Sequence, residues 1–196
     1  MNRLLLAIVL CLGPCLILGS RPARAEFPFA FGAGAGAGPG VGTTHGLASP
    51  GLSGLVAADL AWRDRPGHAY VIGCDFWLVG QPGGGYSPIG YVPQPRRLDF
   101  ETKAVTFGIE RHPAGPTSNF FIRGSIGVGR LWLDGHGSGF DSSALGLAVS
   151  AQAAFRLVAK PGPLGLLVGF RTTHILTRDG TAHALTFLLG PTIDPR

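Results

Sequence analysis

The residues of this sequence that are best able to do chemistry are charged side chains set among Gly, Ala, Ser and Thr. An alternation of residue types along the chain places them on one shared face: Asp59, Arg63, Asp75, Glu110, Arg123, Gln152, Arg156 and Arg171. Such a cluster could catalyse a reaction, conduct ions or form ion pairs between its own acidic and basic side chains. An unpaired buried charge is strongly destabilising, and the small neighbours leave room for arginines. The pattern therefore favours an internal ion-pair network.

Other reactive residue types lack the spacing that a site requires. The six histidines are scattered over predicted loops and strand ends: His45, His68, His112, His136, His174 and His183. They do not have the spacing of zinc ligands, so no metal site is predicted. The glycine-rich runs 32–38 and 83–85 lack the Lys-Ser/Thr pair of a phosphate loop. The sequence therefore predicts no bound cofactor.

An alternation of apolar with small or charged residues predicts that strands position these groups. In FFIRGSIGVGRLWL, 120–133, Phe120, Ile122 and Val128 alternate with Arg123 and glycines. This period of two is typical of a strand, and glycine disfavours a helix. Eight such segments are predicted: 27–38, 52–63, 68–80, 98–111, 120–133, 143–158, one starting at Leu164 and one around Leu185–Leu189.

The connections between the predicted strands alternate between long and short. The long ones, 39–51, 81–97 and 134–142, place Gly42, Gly85 and Gly137 in external loops. Short turns on one side and longer loops on the other are typical of an outer-membrane barrel.

The apolar face carries no Asp, Glu, Lys or Arg in the middle of strands two to eight, and Glu101, Lys103, Arg111 and Arg130 lie towards strand ends. A soluble barrel would have the inverse pattern. The sequence thus predicts an all-β fold, an eight-stranded antiparallel up-and-down transmembrane β-barrel with an occluded polar interior. Aromatic residues near strand ends are predicted to lie at the membrane interfaces: Trp62, Tyr70, Trp77, Phe100, Trp132 and Phe140.

The first 25 residues have the pattern of a cleavable secretory signal. A basic start is followed by an apolar run from Leu4 to Leu18 and by the cleavage pattern Ala23-Arg24-Ala25. Cleavage leaves a barrel domain, 26–196, in which the formal charge falls from +5 to +2. A balance this close to neutral gives no reason to expect nucleic acid as a partner. Cys74 is then the remaining cysteine, so no internal disulfide is predicted.

On this pattern, the mature chain resembles the small eight-stranded outer-membrane proteins of Gram-negative bacteria, of the OmpX and OmpA transmembrane-domain type. The resemblance implies a monomer in the cell outer membrane that contacts membrane lipid and lipopolysaccharide and is inserted by the barrel-assembly machinery. Such chains usually end in an aromatic residue, whereas this one ends Pro191-Thr192-Ile193-Asp194-Pro195-Arg196. Phe187 is the predicted substitute.

A second resemblance concerns RTTHILTRDGTAHALTFLLG, 171–190. It looks like the end of the outer-membrane lipid A deacylases, whose catalytic His and Ser lie two residues apart on a late strand. His174 matches the histidine, but Leu176 occupies the serine position and has no nucleophilic atom. His174 is therefore the one catalytic candidate, and an ordinary interfacial histidine is the favoured interpretation.

Three functional hypotheses remain open at this stage: a structural or surface-interaction barrel, a lipid A-modifying enzyme, and a narrow pore. The heights of the charged residues above their turns also predict pairs. Asp75 is expected to pair with Arg123 or Arg171, with Gln152 completing their hydrogen bonds. Glu110 and Asp59 are expected to pair with Arg156 in a lower layer.

Overall fold

The computed structural model describes residues 29–44, 47–80, 98–135, 140–158 and 162–195. They form eight antiparallel strands that close into one barrel, each paired with the next and β8 with β1. The strands are β1 Phe29–Thr44, β2 Leu47–Arg65, β3 His68–Gly80, β4 Leu98–Arg111, β5 Phe120–Gly135, β6 Phe140–Val158, β7 Leu164–Thr177 and β8 Thr181–Ile193. The predicted fold class is confirmed. The predicted signal, 1–25, lies outside the described residues.

Alternate residues of each strand point into the barrel and out of it, as the period of two predicts. On β3, Val71, Asp75 and Trp77 are buried, whereas Ile72 and Leu78 are exposed. The outward positions form a belt of large apolar side chains around the barrel, including Val56, Leu60, Val105, Phe107, Ile126, Val128, Leu147, Phe155, Phe170, Phe187 and Leu189. A continuous exposed apolar belt is unfavourable in water and favourable against lipid.

The two ends of the barrel differ in their connections. At one end, here the turn end, β2 joins β3 through Pro66-Gly67, β4 joins β5 through 112–119, and β1 begins where β8 ends. Gly67 has a φ of 76°, which a glycine adopts without strain. Its carbonyl accepts a hydrogen bond of 3.0 Å from His112 N, which ties the two turns together. The opposite end is the loop end.

Two predicted external loops are largely strand, so this part of the sequence interpretation was wrong. The predicted loop 39–51 pairs as β1 with β2, from Pro39↔Leu52 to Thr44↔Leu47. Gly42 therefore lies inside β1, where a Cβ atom would come within 2.2 Å of the Phe100 ring. Likewise β5 continues to Gly135, and β6 begins at Phe140. Gly85 and Gly137 lie outside the described residues.

The loop half of the barrel interior is apolar. Buried side chains from four strands fill it: Leu55, Trp77, Val79, Phe100, Leu131 and Leu133. Trp77 and Phe100 are 1% and 0% exposed, so their predicted place at the membrane interface was wrong. Both occupy inward positions of their strands, and the interior volume accommodates their rings. The side chain of Phe140 lies outside those described.

No helix long and apolar enough to cross a bilayer occurs within the described segments.

Candidate functional site

The charged residues meet inside the turn half of the barrel. Arg156 donates from both terminal nitrogens to Glu110, with Nη1–Oε1 and Nη2–Oε2 distances of 2.6 Å. This bidentate geometry is among the strongest that a carboxylate makes. Asp194 lies 3.7 Å from Arg156 and also pairs with Arg63. Glu110 is further contacted by His112, at 3.2 Å.

Arg123 extends this chain of contacts towards the middle of the barrel. Its Nη2 donates to Glu110 Oε2 at 2.8 Å, and its Nη1 lies 2.5 Å from Asp59 Oδ2. Asp59 also accepts from Arg171 Nη1 at 3.0 Å. Arg171 Nη2 in turn lies 2.7 Å from Asp75 Oδ1. Alternating charges thus join residues from six strands.

We call these eight residues the charge ladder. In order of contact they are Arg63, Asp194, Arg156, Glu110, Arg123, Asp59, Arg171 and Asp75. Four guanidiniums face four carboxylates, so the ladder is formally neutral. Apart from Arg63, each member is buried. Neutrality and close pairing offset much of the cost of removing charges from water.

Small and aromatic neighbours shape the space that the ladder occupies. At Gly73, a Cβ atom would lie 2.7 Å from Asp59 Oδ1, so the absence of a side chain leaves room for that carboxylate. The Phe121 ring lies beneath two guanidiniums, 4.4 Å from Arg156 and 5.3 Å from Arg123. Cation–π contacts of this kind are strongest where water is excluded.

The structure brings together all eight residues predicted to share the polar face, with Arg63 joined to the others through Asp194. Asp75 contacts Arg171, and Gln152 Oε1 accepts from Arg123 at 3.2 Å and from Arg171 at 3.4 Å. Glu110 contacts Arg156 in the layer nearer the turn end. Asp59, however, lies against Arg123 and Arg171, so its predicted pairing with Arg156 was wrong. The tilt and shear of the strands shift relative heights, which simple counting from the turns ignores.

Asp194 is a ladder member that was not predicted from the sequence. Its side chain is buried next to Arg63 and Arg156, and its backbone N–H donates to Pro163 O at 2.7 Å. The sequence does contain a signal for its inward position. Asp194 continues the even-numbered inward face of β8, which includes Thr186, Leu188 and Thr192.

The arrangement favours charge neutralisation over catalysis. Each ladder carboxylate faces at least one guanidinium, so none is held as an isolated acid or base. Among the described residues, no group of three or more His, Cys, Asp or Glu side chains could hold a metal ion.

The outward wall carries a separate polar group near the loop end. Lys103 and Arg130 are directly opposite each other on β4 and β5. Their cationic groups lie 4.6 and 4.8 Å from the Trp132 ring. Lys103 also contacts Glu101, at 3.0 Å, and Arg130 donates to Ser143 at 2.7 Å. Towards the turn end, Trp62 and Tyr70 point outward with ring centroids 6.3 Å apart.

His174 also points outward, on β7. Its partner across the sheet is His183, and the two Nδ1 atoms are 2.7 Å apart. Leu176 lies two residues further on the same face and is exposed.

Comparison with solved structures defines the fold. The attachment invasion locus protein Ail of Yersinia pestis, solved in complex with the heparin analogue sucrose octasulfate, superposes with a TM-score of 0.56 and 12% identity, covering 84% of this chain and 99% of Ail. Neisserial surface protein A superposes with a TM-score of 0.50 and 14% identity, covering 87% and 99%. The fold is that of the small eight-stranded outer-membrane barrels. No protein-family model matches the sequence, and neither does any curated protein.

Proposed function

We propose that this chain is an exported outer-membrane β-barrel with an occluded interior, acting as a structural or surface-interaction protein. The observation that carries the proposal is the filling of the interior. The charge ladder occupies the turn half, and the apolar cluster around Trp77 and Phe100 occupies the loop half. Eight strands enclose space for side chains and little more.

Location and assembly belong to the same proposal. Residues 1–25 direct export and are removed, and the barrel-assembly machinery inserts 26–196 into the outer membrane. The exposed apolar belt supports a lipid environment. Closure of β8 on β1 leaves no long free edge among the described strands, which supports a monomer.

Planar-bilayer recording tests the occluded interior. The refolded mature chain should produce almost no current above the bilayer background, because the ladder and the apolar cluster fill the interior of the described strands. Insertion is verified independently by heat-modifiable migration of protein recovered from the same vesicles. Discrete, reproducible conductance steps would contradict the proposal and support the narrow-pore alternative.

On the outer wall of the described strands, the catalytic group that the enzyme alternative requires is incomplete. His174 faces His183, and the position that a nucleophile would need holds Leu176. Mass spectra of lipid A from cells with and without the protein should therefore be identical. Loss of an acyl chain that depends on the protein, and that His174→Gln abolishes, would overturn the proposed non-enzymatic role.

For the partner, we propose anionic lipopolysaccharide of the outer leaflet at Lys103 and Arg130. Like charges directly opposite on a sheet repel each other, and a phosphate between them would remove the repulsion. Trp132 holds both cations at the edge of the apolar belt, where lipid headgroups lie.

A binding assay with phosphorylated and dephosphorylated lipid A tests this partner. The double variant Lys103→Gln/Arg130→Gln should lose preference for the phosphorylated form. Arg65→Gln is the matched control, since Arg65 is an exposed cation at the turn end. Equal preference in wild type and the double variant would exclude this site.

A further inference from the structure

A histidine pair on the outward wall is left unused by the proposed function. His174 on β7 and His183 on β8 are directly opposite in the register, with ring centroids 5.0 Å apart. Directly opposite residues have Cβ atoms about 5 Å apart, so the backbone itself holds the two rings close together. Their Nδ1 atoms are 2.7 Å apart, which is hydrogen-bond distance.

The contact between the rings defines what chemistry they can do. A neutral imidazole has one N–H donor and one lone-pair acceptor. One Nδ1 must therefore carry the shared proton while the other accepts. If the donor ring moves this proton to its own Nε2, both Nδ1 lone pairs become available at the same point, with no net release of a proton. Two lone pairs held together by a sheet make a bidentate nitrogen ligand.

The distance between the nitrogens indicates which cations fit. Two nitrogens bound to one metal at about 2.0 Å and at right angles lie about 2.8 Å apart, whereas a tetrahedral metal spaces them by about 3.3 Å. The observed 2.7 Å is the distance of the metal-free hydrogen bond, so the rings would have to separate less to form the right-angled site than the tetrahedral one. Square-planar or tetragonal sites with N and O ligands are characteristic of Cu²⁺ and Ni²⁺.

The surroundings leave the outward side of the pair for small ligands. The outward cross-strand neighbours are Val149 on β6 and Val41 on β1, which supply no ligand atoms. Towards the loop end, Thr181 is held by a hydrogen bond of 2.5 Å between its hydroxyl and that of Thr43. We propose that His174 and His183 bind one Cu²⁺ or Ni²⁺ ion through their Nδ1 atoms, with water in the remaining positions.

Calorimetric titration of the mature chain, folded in detergent micelles, with NiCl₂, CuCl₂ and ZnCl₂ tests the site. One Ni²⁺ should bind per chain, more tightly than Zn²⁺. His174→Gln and His183→Gln should each weaken Ni²⁺ binding at least about tenfold, because each removes half of a chelate. His68→Gln is the matched control and should bind as wild type does, since His68 lies at the turn end against Asp64.

A second readout does not depend on the variants. The electron paramagnetic resonance spectrum of the Cu²⁺ complex of the wild-type chain should show hyperfine coupling to two equatorial nitrogens. A spectrum with no nitrogen coupling would overturn the proposal. So would Zn²⁺ binding as tightly as Ni²⁺, or Ni²⁺ affinity that survives both substitutions in variants shown to be folded by circular dichroism.

Discussion

At Gly73 the interior of the barrel has no room for a side chain. A Cβ atom there would lie 2.7 Å from Asp59 Oδ1 and 3.0 Å from Thr106 Oγ1. Gly73→Ala should therefore force the Asp59 carboxylate away from its guanidinium partners. We expect the free energy of unfolding, measured by urea titration in lipid vesicles, to fall by about 1 to 3 kcal/mol.

Gly124→Ala is the matched control for that substitution. Gly124 points outward from β5, and a Cβ atom would meet nothing within 4 Å. Its replacement should change the free energy of unfolding by no more than about 0.5 kcal/mol. If the two alanine variants are equally destabilised, the loss reflects glycine in a strand generally and the packing argument at Gly73 does not hold.

Parity along a strand was the most reliable guide to individual residues. It placed Asp59, Asp75 and Arg171 inside, where they are buried. At Trp77 two signals disagree, because an aromatic residue near a strand end predicts the interface whereas parity predicts the interior, and parity is correct. Asp194 lies beyond Leu189, the last residue of the predicted eighth strand, so the predicted inward face did not include it. Which carboxylate meets which arginine was harder to predict, because it depends on the shear of the whole barrel.

At the scale of one strand, the outward face of β6 should tolerate a charge according to its depth. Val149 lies at the centre of β6, paired with Ile126 on one side and His174 on the other. Val149→Arg should reduce the folding free energy in lipid vesicles by up to about 2 to 4 kcal/mol, since a guanidinium against lipid is poorly solvated. Ala148→Ser, on the buried face, should leave insertion nearly unchanged, because the added hydroxyl is small.

The control for depth is Leu78→Arg on β3. Leu78 points outward two residues before the strand ends, directly opposite Glu101. A guanidinium there reaches the interface, so the expected cost is about 0 to 1 kcal/mol. Should Val149→Arg fold normally while substitutions at Ala148 and Ser150 block insertion, the inward and outward faces of β6 would be reversed.

The sequence predicts that the strands exist better than it predicts where they end. The eight strands follow from the alternation because lipid on one side and a packed interior on the other select opposite residue types. The loop-end boundaries do not, because glycine, proline and serine in 39–51 resemble loop composition. In the structure, the backbone of 39–51 pairs across the β1–β2 hairpin, from Pro39↔Leu52 to Thr44↔Leu47. This pairing depends on the partner strand, so the composition of 39–51 alone does not predict it.

In the molecule as a whole, two different kinds of side chain fill the interior. Apolar rings and aliphatic side chains fill the loop half, and a neutral set of charges fills the turn half. The charged half differs from the apolar half in one respect. Removing one charged side chain leaves its partner's charge unbalanced in a confined space. Stability should therefore depend on how the ladder charges are coupled.

A double-mutant cycle distinguishes contact pairing from overall charge balance. Asp75 and Arg171 touch at 2.7 Å. Asp75→Asn should lower the free energy of unfolding, and adding Arg171→Gln should cost less than the sum of the single effects by about 0.5 to 3 kcal/mol. Urea titration of the four proteins in lipid vesicles measures this coupling energy.

The comparison cycle joins Asp75 with Arg156, which bonds to Glu110 further along the ladder. If contact determines the coupling, this second pair should be additive within about 0.5 kcal/mol. Equal coupling in both cycles would mean that net charge in the lumen governs stability and that the individual partners are interchangeable. Additivity in the first cycle would show that Asp75 and Arg171 do not stabilise each other, because a pair in contact at low dielectric must couple.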